Sequence, residues 1–387
     1  MQPDHAIRHQ AGSGAIRVGV AILAVAWVCC RVVVAQADSA AKRQPPVPLP
    51  RPDSFRTRET DHFFIWYDSS YNTLRPMVAR LEGTYHAVVR VGHGLGFAMD
   101  APAEPLAIVL VDRHEDFAVL ARAAQVDPGG AAGFYDPNHQ VAIFGNVING
   151  PSLRPVAMRI TQLQDRLSRL RGQGRAGHAR AKAINRELVT LVARRAAIVK
   201  WFNRVVIQHE AAHHMLFNLG VHAANADNPL WLVEGLATQF ETSQTNVRGE
   251  LRHTNQMRLA DLRAAAAVGP GVKKLTEFQY AHAFRDGGLI PLSSLVADFG
   301  ADAGAGSGDR VTTAYAQSWA LVFFLARERA DDFREYVRRI AERPRGTRTT
   351  PEGELAAFSA SFGAVDEPFQ RAWLTYIVRL RFDPSAD

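Results

Sequence analysis

Short apolar runs alternate with a helical pattern in the first third of the chain. Residues 62–67 (HFFIWY), 106–111 (LAIVLV) and 141–144 (VAIF) are rich in β-branched or aromatic side chains and are bounded by turn residues, which is typical of strands. Apolar spacing between the first two runs predicts a helix over residues 74–91. This part of the chain therefore mixes strands and helices.

Beyond residue 150 the apolar positions follow the helical period. Residues 153–204 are interrupted by Gly172, Gly174 and Gly177, so they are interpreted as a helical hairpin with its turn at these glycines. The same spacing predicts further helices over residues 205–219, 231–242, 315–329, 332–343 and 368–380. The succession of strands and then helices predicts an α+β fold.

The first 37 residues have the layout of a secretory signal peptide. An apolar run at residues 18–30 follows Arg8 and Arg17 and precedes the small-residue stretch 35–37 (AQA). The run is shorter than the roughly 20 apolar residues that a membrane-spanning helix needs. We therefore expect export with cleavage near Ala37, and the alternative is retention as an N-terminal membrane anchor.

A proline-rich segment, residues 38–52, follows the predicted signal peptide. Its part 41–52 (AKRQPPVPLPRP) carries five prolines, which favour an extended spacer without a core of its own. We therefore predict that one folded domain spans residues 53–387 and begins near Asp53.

The positive charge of the chain is concentrated in the predicted hairpin. The whole sequence has 45 Lys and Arg against 38 Asp and Glu, a formal charge of +7. Residues 153–204 hold 13 Lys and Arg against only Asp165 and Glu187, so the remainder of the chain is slightly acidic. No aromatic interleaving or nucleic-acid motif accompanies these charges, so we expect no specific nucleic acid as a partner. A solvated helical face and a contact with an anionic envelope or membrane surface remain as alternatives.

Candidate metal ligands lie in residues 208–213, which read Q-H-E-A-A-H. His209 and His213 are four residues apart, hence one turn apart on the same face of a helix, and two imidazoles at that spacing can bind one Zn²⁺. Both cysteines, Cys29 and Cys30, lie in the predicted signal peptide. A metal site in the mature chain must therefore use His, Asp or Glu.

A third ligand is predicted in the next helix. Glu234 lies 21 residues after His213 in an otherwise apolar stretch, and a catalytic zinc needs a third protein ligand together with an open position for water. Thr238 and Glu241 share the helix face of Glu234, so they are candidates for hydrogen bonding to the ligands or for contact with substrate. For Glu241, a solvent-exposed helix end is an equally good interpretation.

These motifs resemble those of the gluzincin zinc metallopeptidases, the thermolysin and aminopeptidase N-like group. In that group H-E-x-x-H is followed by a helix close to W-L-x-E-G-[FL]-A-[ST]-x-x-E, and residues 231–241 (WLVEGLATQFE) match it. The resemblance implies a two-lobed, peptidase MA-like fold, with a small strand-containing N-terminal lobe, a mainly helical C-terminal lobe and residues 153–204 as an insertion. The order of HFFIWY, GFYDP, HEAAH and WLVEGLA over roughly residues 53–380 also resembles an uncharacterised family of exported bacterial peptidase-like proteins.

The resemblance also implies a mechanism. Zn²⁺ would be held by His209, His213 and Glu234 and would activate a water, and Glu210 would accept its proton and pass it to the leaving amine. Tyr315 begins a segment similar to the helix that carries the oxyanion-steadying tyrosine of aminopeptidase N-like enzymes, although Gln317 and Ser318 replace the usual Lys and Gly. An ordinary core tyrosine is the competing interpretation of Tyr315.

The expected function is therefore zinc-dependent hydrolysis of peptide bonds in a peptide or protein substrate. The G-x-M-E-N signature that binds a free substrate amine is absent from the sequence, which favours an endopeptidase. The alternative is a non-catalytic zinc-binding scaffold that contacts the envelope or an anionic polymer through the basic hairpin, although such a scaffold has no need of Glu210. His214 is expected to pack rather than to bind metal, and the other histidines are expected to be ordinary surface or core residues, among them His62, His93, His114, His222, His253 and His282.

Overall fold

The computed structural model describes residues 44–129, 131–151, 153–170, 174–242, 251, 253–269, 272–285, 288–299 and 308–383. The predicted signal peptide, residues 1–37, lies outside this part of the chain, as do residues 38–43 of the proline-rich segment. No helix among the described residues is long and apolar enough to cross a membrane.

The protein has an α+β fold with one mixed sheet and twelve α-helices in the part described. The strands are β1 (Arg56–Glu59), β2 (Phe63–Tyr67), β3 (Leu106–Val111), β4 (Gly133–Asp136) and β5 (Val141–Gly145). The helices are α1 (Tyr71–Gly94), α2 (His114–Ala123), α3 (Arg154–Leu170), α4 (Gly174–Asn218), α5 (Leu230–Ala237), α6 (Gln256–Ala265), α7 (Glu277–Arg285), α8 (Leu292–Asp298), α9 (Gly308–Glu328), α10 (Ala330–Ala341), α11 (Pro351–Phe362) and α12 (Glu367–Val378).

The sheet has the strand order β1-β2-β3-β5-β4. Strands β2, β3 and β5 are parallel, whereas β1 and β4 join the two edges in antiparallel orientation. The three predicted strands are confirmed as the parallel centre of the sheet. Their apolar runs are continuous because both faces of central parallel strands are covered.

The two faces of the sheet belong to two hydrophobic clusters. Ile108 and Leu110 of β3 point into the larger cluster, which includes residues of α1, α4, α5 and α9, whereas Val109 and Val111 point into a smaller cluster with α2. The smaller cluster also contains Val47 and Leu49. The proline-rich segment therefore packs against the sheet before Asp53, because its two apolar side chains find a hydrophobic surface there.

Helix α4 is a single helix of 45 residues, about 67 Å long at 1.5 Å per residue. A helix boundary near residue 204, between the hairpin and the helix with the H-E-x-x-H motif, and a break at Gly177 were both expected from the sequence. Both expectations are wrong. No proline or glycine occurs between residues 178 and 218, so nothing ends the helix there. One rigid element consequently joins the basic hairpin to the candidate metal site.

Helix α3 packs alongside the first half of α4. Arg159 and Glu187 form an ion pair of 2.7 Å between the two helices, and the side chains of Ile160, Leu163 and Ile184 are buried. Most other side chains of the pair are exposed, including Met158 and Val189. The predicted turn residues 171–173 lie outside the described part of the chain.

Candidate metal centre

The second half of α4 carries the H-E-x-x-H motif inside the protein. His209, Glu210 and His213 are all buried, because the helix packs between the sheet, α1 and α5 with its apolar flanks. The helical period places the two imidazoles one turn apart, and their Nε2 atoms lie 2.9 Å from each other. The two rings meet edge to face at an angle of 85°.

Helix α5 brings Glu234 to the same point. The Oε2 atom of Glu234 lies 3.2 Å from Nε2 of His209 and 3.3 Å from Nε2 of His213. Gly235, the next residue, allows α5 to approach α9 closely, since a Cβ there would lie 2.6 Å from the carbonyl oxygen of Ser318. The contacts of α5 with α4 and α9 therefore bring the three predicted ligands together.

The spacing of these atoms matches the size of a zinc ion. Tetrahedral ligands at about 2.0–2.1 Å from Zn²⁺ are separated by about 3.3 Å, and the measured separations are 2.9, 3.2 and 3.3 Å. Oε2 of Glu234 is buried and has no hydrogen-bond partner among the described residues, despite its two close imidazole neighbours. Two imidazoles and one carboxylate form a donor set that suits zinc.

Negative charge accumulates around the histidines. Burial alone would lower the pKa of His209, but the adjacent carboxylates of Glu234 and Glu241 raise it to about 10. Against the effect of burial, the imidazoles of His213 and His209 hold the pKa of Glu234 well below its usual range. The site therefore favours a cation, either protons on the imidazoles or a metal ion.

Glu210 lies beside the ligands and faces the sheet. Its Oε2 atom accepts a hydrogen bond of 3.0 Å from the backbone N–H of Tyr135 in the edge strand β4. Burial, together with repulsion from Glu234, raises the pKa of Glu210. A buried carboxylate with a raised pKa, held next to a candidate metal site, is suited to accept and release a proton.

Glu241 is buried and supports His209 directly. Its Oε1 atom lies 3.1 Å from Nδ1 of His209, which leaves Nε2 of that ring facing the other ligands. The interpretation of Glu241 as a solvent-exposed helix end is therefore wrong. Thr238 is also buried, but its hydroxyl donates to the backbone carbonyls of Glu234 and Gly235, so it holds the end of α5 and does not reach the ligand side chains.

Sequence reasoning missed Arg258 and Asn255. The Arg258 guanidinium donates two hydrogen bonds to Glu241, from Nε to Oε2 at 2.8 Å and from Nη2 to Oε1 at 2.6 Å. Asn255 adds a third, from Nδ2 to Oε2 at 3.0 Å. Burial alone would raise the pKa of Glu241, but Arg258 and His209 lower it to about 2. The only signal in the sequence is indirect, since a buried carboxylate requires a partner.

Tyr315 of α9 lies against the same group of residues. Its ring centroid is 6.0 Å from that of His209, and the Arg258 guanidinium carbon lies 5.3 Å from the Tyr315 ring centroid. Burial, with the charges of Glu234 and Glu210, raises the pKa of Tyr315 well above its usual value. The phenol therefore keeps its proton and is a hydrogen-bond donor at ordinary pH.

Two further histidines near the ligands, His214 and His222, differ in their contacts. His214 points away from the ligands, stacks on Tyr135 and places Nε2 3.1 Å from the backbone oxygen of Gln140, which confirms its expected packing role. His222 is buried, and neither of its ring nitrogens has a hydrogen-bond partner among the described residues. The expectation of an ordinary, satisfied histidine is therefore wrong for His222.

A cavity of about 470 Å³ opens onto these residues. One wall is the edge strand β4 with the residues just before it, and another is the turn of α4 that precedes His209. Its lining includes the three candidate ligands, Glu210 and Tyr315, together with apolar side chains such as Trp201, Val205, Val206, Phe299 and Val311. A substrate in this cavity would contact strand backbone, apolar surface and the candidate metal centre together.

The helices that carry the candidate ligands belong to the part of the chain that matches a family model. A family described as a protein of unknown function, DUF1570, matches residues 203–287 and 295–345. These segments include the H-E-x-x-H motif, Glu234, Glu241, Arg258 and Tyr315, and together they cover about a third of the chain. No curated protein matches the chain.

Proposed function

We propose that this protein is a zinc-dependent peptidase of the gluzincin type that cleaves within polypeptide chains. The observation that carries the proposal is the convergence of His209, His213 and Glu234 beside the buried carboxylate of Glu210 in one cavity. The two-lobed gluzincin architecture is part of the same proposal.

His209, His213 and Glu234 would hold the zinc ion. When bound, the ion lowers the pKa of a water toward 7 and polarises a substrate carbonyl. Glu210 is then the proton acceptor, because its carboxylate lies next to the ligands and burial raises its pKa above the ordinary value, which makes it a stronger base. The same carboxyl group delivers the proton to the leaving amine. Without Glu210 a zinc site would remain, but proton transfer would not.

Tyr315 stabilises the negative charge that develops on the substrate oxygen. Its phenol is held against His209 and Arg258 and keeps its proton, so it can donate a hydrogen bond at the stage where charge appears. Arg258 contributes positive charge behind the ring, which favours a hydrogen bond from the hydroxyl to an anionic oxygen.

The edge strand β4 supports a peptide as the substrate. The N–H of Tyr135 points away from β5 toward Glu210, so the outer edge of β4 runs along the candidate centre. An extended peptide can pair with such an edge through its backbone, which positions one peptide bond without requiring particular side chains. The cavity adds apolar walls, so we expect uncharged side chains next to the cleaved bond.

The proposal that the protein is exported is based on residues 1–37 and does not depend on the candidate metal centre. The exposed basic surface of α3 and α4 supports a contact with an anionic envelope surface. The same basic surface supports the second candidate function, which is a zinc-binding scaffold that acts through the hairpin. The buried general base distinguishes the two candidates, because only the peptidase uses it.

The proposal is tested by digestion of an unstructured protein with the purified mature chain. The wild-type protein should cleave it, a chelator should abolish cleavage, and added zinc should restore it. Glu210→Gln should keep the zinc and lose activity by at least about 100-fold, the usual contribution of a general base. Glu187→Gln, on the exposed part of the same helix, is the matched control. Zinc binding without hydrolysis that depends on Glu210 would favour the scaffold.

A further inference from the structure

A second group of metal-ligating side chains lies between β2 and α1. Among the described residues, two groups of His, Asp or Glu have ligand atoms within 4.8 Å of one another, and the second consists of His62, Glu82 and His86. His62 directly precedes β2, whereas Glu82 and His86 are one turn apart on α1. No sequence pattern connects them, because 20 residues separate His62 from Glu82.

The carboxylate of this group is already fixed in place. Oε2 of Glu82 accepts a hydrogen bond of 2.6 Å from Nδ1 of His62, and Oε1 accepts one of 3.2 Å from the backbone N–H of His62. The two hydrogen bonds therefore hold the carboxylate of Glu82 in one orientation.

The imidazole of His62 is held as well. Its ring stacks on Tyr85 with a centroid distance of 3.7 Å, and it meets His86 edge to face at 87°, much as His209 and His213 meet at 85°. His86 itself is exposed. Ligand atoms of one bound ion lie about 3.3 Å apart, so a metal would take the place of the proton between Nδ1 of His62 and Oε2 of Glu82, which are 2.6 Å apart. The ligand atom of His86 lies within 4.8 Å of those of His62 and Glu82.

We propose that His62, Glu82 and His86 form a second zinc site, separate from the centre at His209, that fastens α1 to the start of β2. Two imidazoles and one carboxylate are the donor set of zinc, and the partial exposure of the group leaves room for a water as the fourth ligand. The role is structural, since Glu82, the only carboxylate of the group, serves as a ligand and no further carboxylate of the group remains as a proton acceptor. The competing interpretation is a simple ion pair between His62 and Glu82 in which His86 takes no part.

Zinc content separates these interpretations. The wild-type chain, His86→Ala and His93→Ala are equilibrated at one buffered free zinc concentration, and bound zinc is measured by elemental analysis. His93 is the matched control, because it is an exposed histidine on the same helix outside the group. We expect His86→Ala to hold one zinc ion fewer per chain than the wild type, and His93→Ala to hold the same number. Equal zinc content in His86→Ala and wild type would overturn the proposal.

A second measurement uses chains in which the candidate catalytic centre is disabled by His209→Ala and His213→Ala. Zinc should still raise the melting temperature of this double variant, and the rise should disappear when His86→Ala is added. No zinc-dependent rise in the double variant, measured on protein that is folded by circular dichroism, would equally contradict the second site. A wild-type chain with one zinc ion that is lost in His86→Ala would support this site while contradicting the proposed peptidase.

Discussion

The buried pair of Arg258 and Glu241 offers a quantitative test of how the candidate centre is held together. Arg258→Met removes both hydrogen bonds to Glu241 and leaves its carboxylate buried, with Asn255 and His209 as its remaining partners among the described residues. The side chains of both residues are almost completely inaccessible to solvent. Removing one partner of a buried pair costs about 3–5 kcal/mol, so we expect that loss in the free energy of unfolding of the apoprotein.

The same change should weaken zinc binding. Glu241 fixes the ring of His209 through Nδ1, and loss of a partner behind a metal ligand typically lowers metal affinity about 10–100-fold. Urea denaturation gives the free energy of unfolding, and competition with a chelator gives the zinc dissociation constant. The double variant Glu241→Gln with Arg258→Met removes both charges, so it should recover part of the lost stability.

Arg338→Met is the control, because Arg338 forms ion pairs with Glu335 and Glu342 on an exposed helix face. We expect it to change stability far less than Arg258→Met and to leave zinc affinity unchanged. An Arg258→Met chain with wild-type zinc affinity would refute the proposed support of His209 through Glu241. Additive effects in the double variant would refute the coupling of the two charges.

Three further predictions concern pH and charge. Because Glu210 acts as a carboxylate and burial raises its pKa, kcat/KM should fall as pH decreases, and a kcat/KM that does not fall on the acid side would contradict this role. Burial lowers the pKa of His222 from 6.5 to about 3, so stability should be fully present above pH 6.5 and lost toward pH 3 by up to about 1.4 kcal/mol per pH unit. Urea denaturation at several pH values should show a shallower loss in His222→Leu, and an unchanged slope would contradict the assignment. Finally, Lys182→Glu with Arg186→Glu should weaken co-sedimentation with vesicles containing anionic lipid at low salt, and unchanged binding would remove the hairpin from that contact.

The centre of the sheet could be predicted from the sequence, whereas its edges could not. Strands β2, β3 and β5 are largely buried, so their apolar composition identifies them. Strand β1 reads RTRE and is exposed throughout, and β4 has only four residues, so neither carries a strong pattern. Yet β4 is the strand that faces the candidate centre, and its role depends on pairing with β5 rather than on its own composition.

The helices likewise differ in how well they could be predicted from the sequence. Helix α10 was predicted nearly in full, whereas the prediction for α9 began at residue 315 and missed its first seven residues. Helix α11 was not predicted, although Thr350 caps its N-terminus and Pro351 stands at its first position, both of which are recognisable start signals. The predicted boundary near residue 204 was wrong, because no residue there ends a helix.

The candidate ligands were predictable because their spacing is local. His209, Glu210 and His213 lie within five residues, and Glu234 follows in a short apolar helix, so the sequence alone places them. Arg258 reaches Glu241 only through the packing of α6, and the sequence does not distinguish it from the other arginines. His62 likewise meets Glu82 only because β2 packs on α1. Side-chain contacts between elements that are distant in the chain therefore could not be predicted from the sequence.

The central claim is that His209, His213 and Glu234 hold one zinc ion beside Glu210. The most direct test is anomalous X-ray diffraction at the zinc absorption edge from crystals of the zinc-loaded mature chain. The account predicts an anomalous peak about 2.0–2.2 Å from Nε2 of His209, Nε2 of His213 and a carboxylate oxygen of Glu234. The absence of a peak between these three side chains, or a zinc ion bound there by other residues, would contradict it.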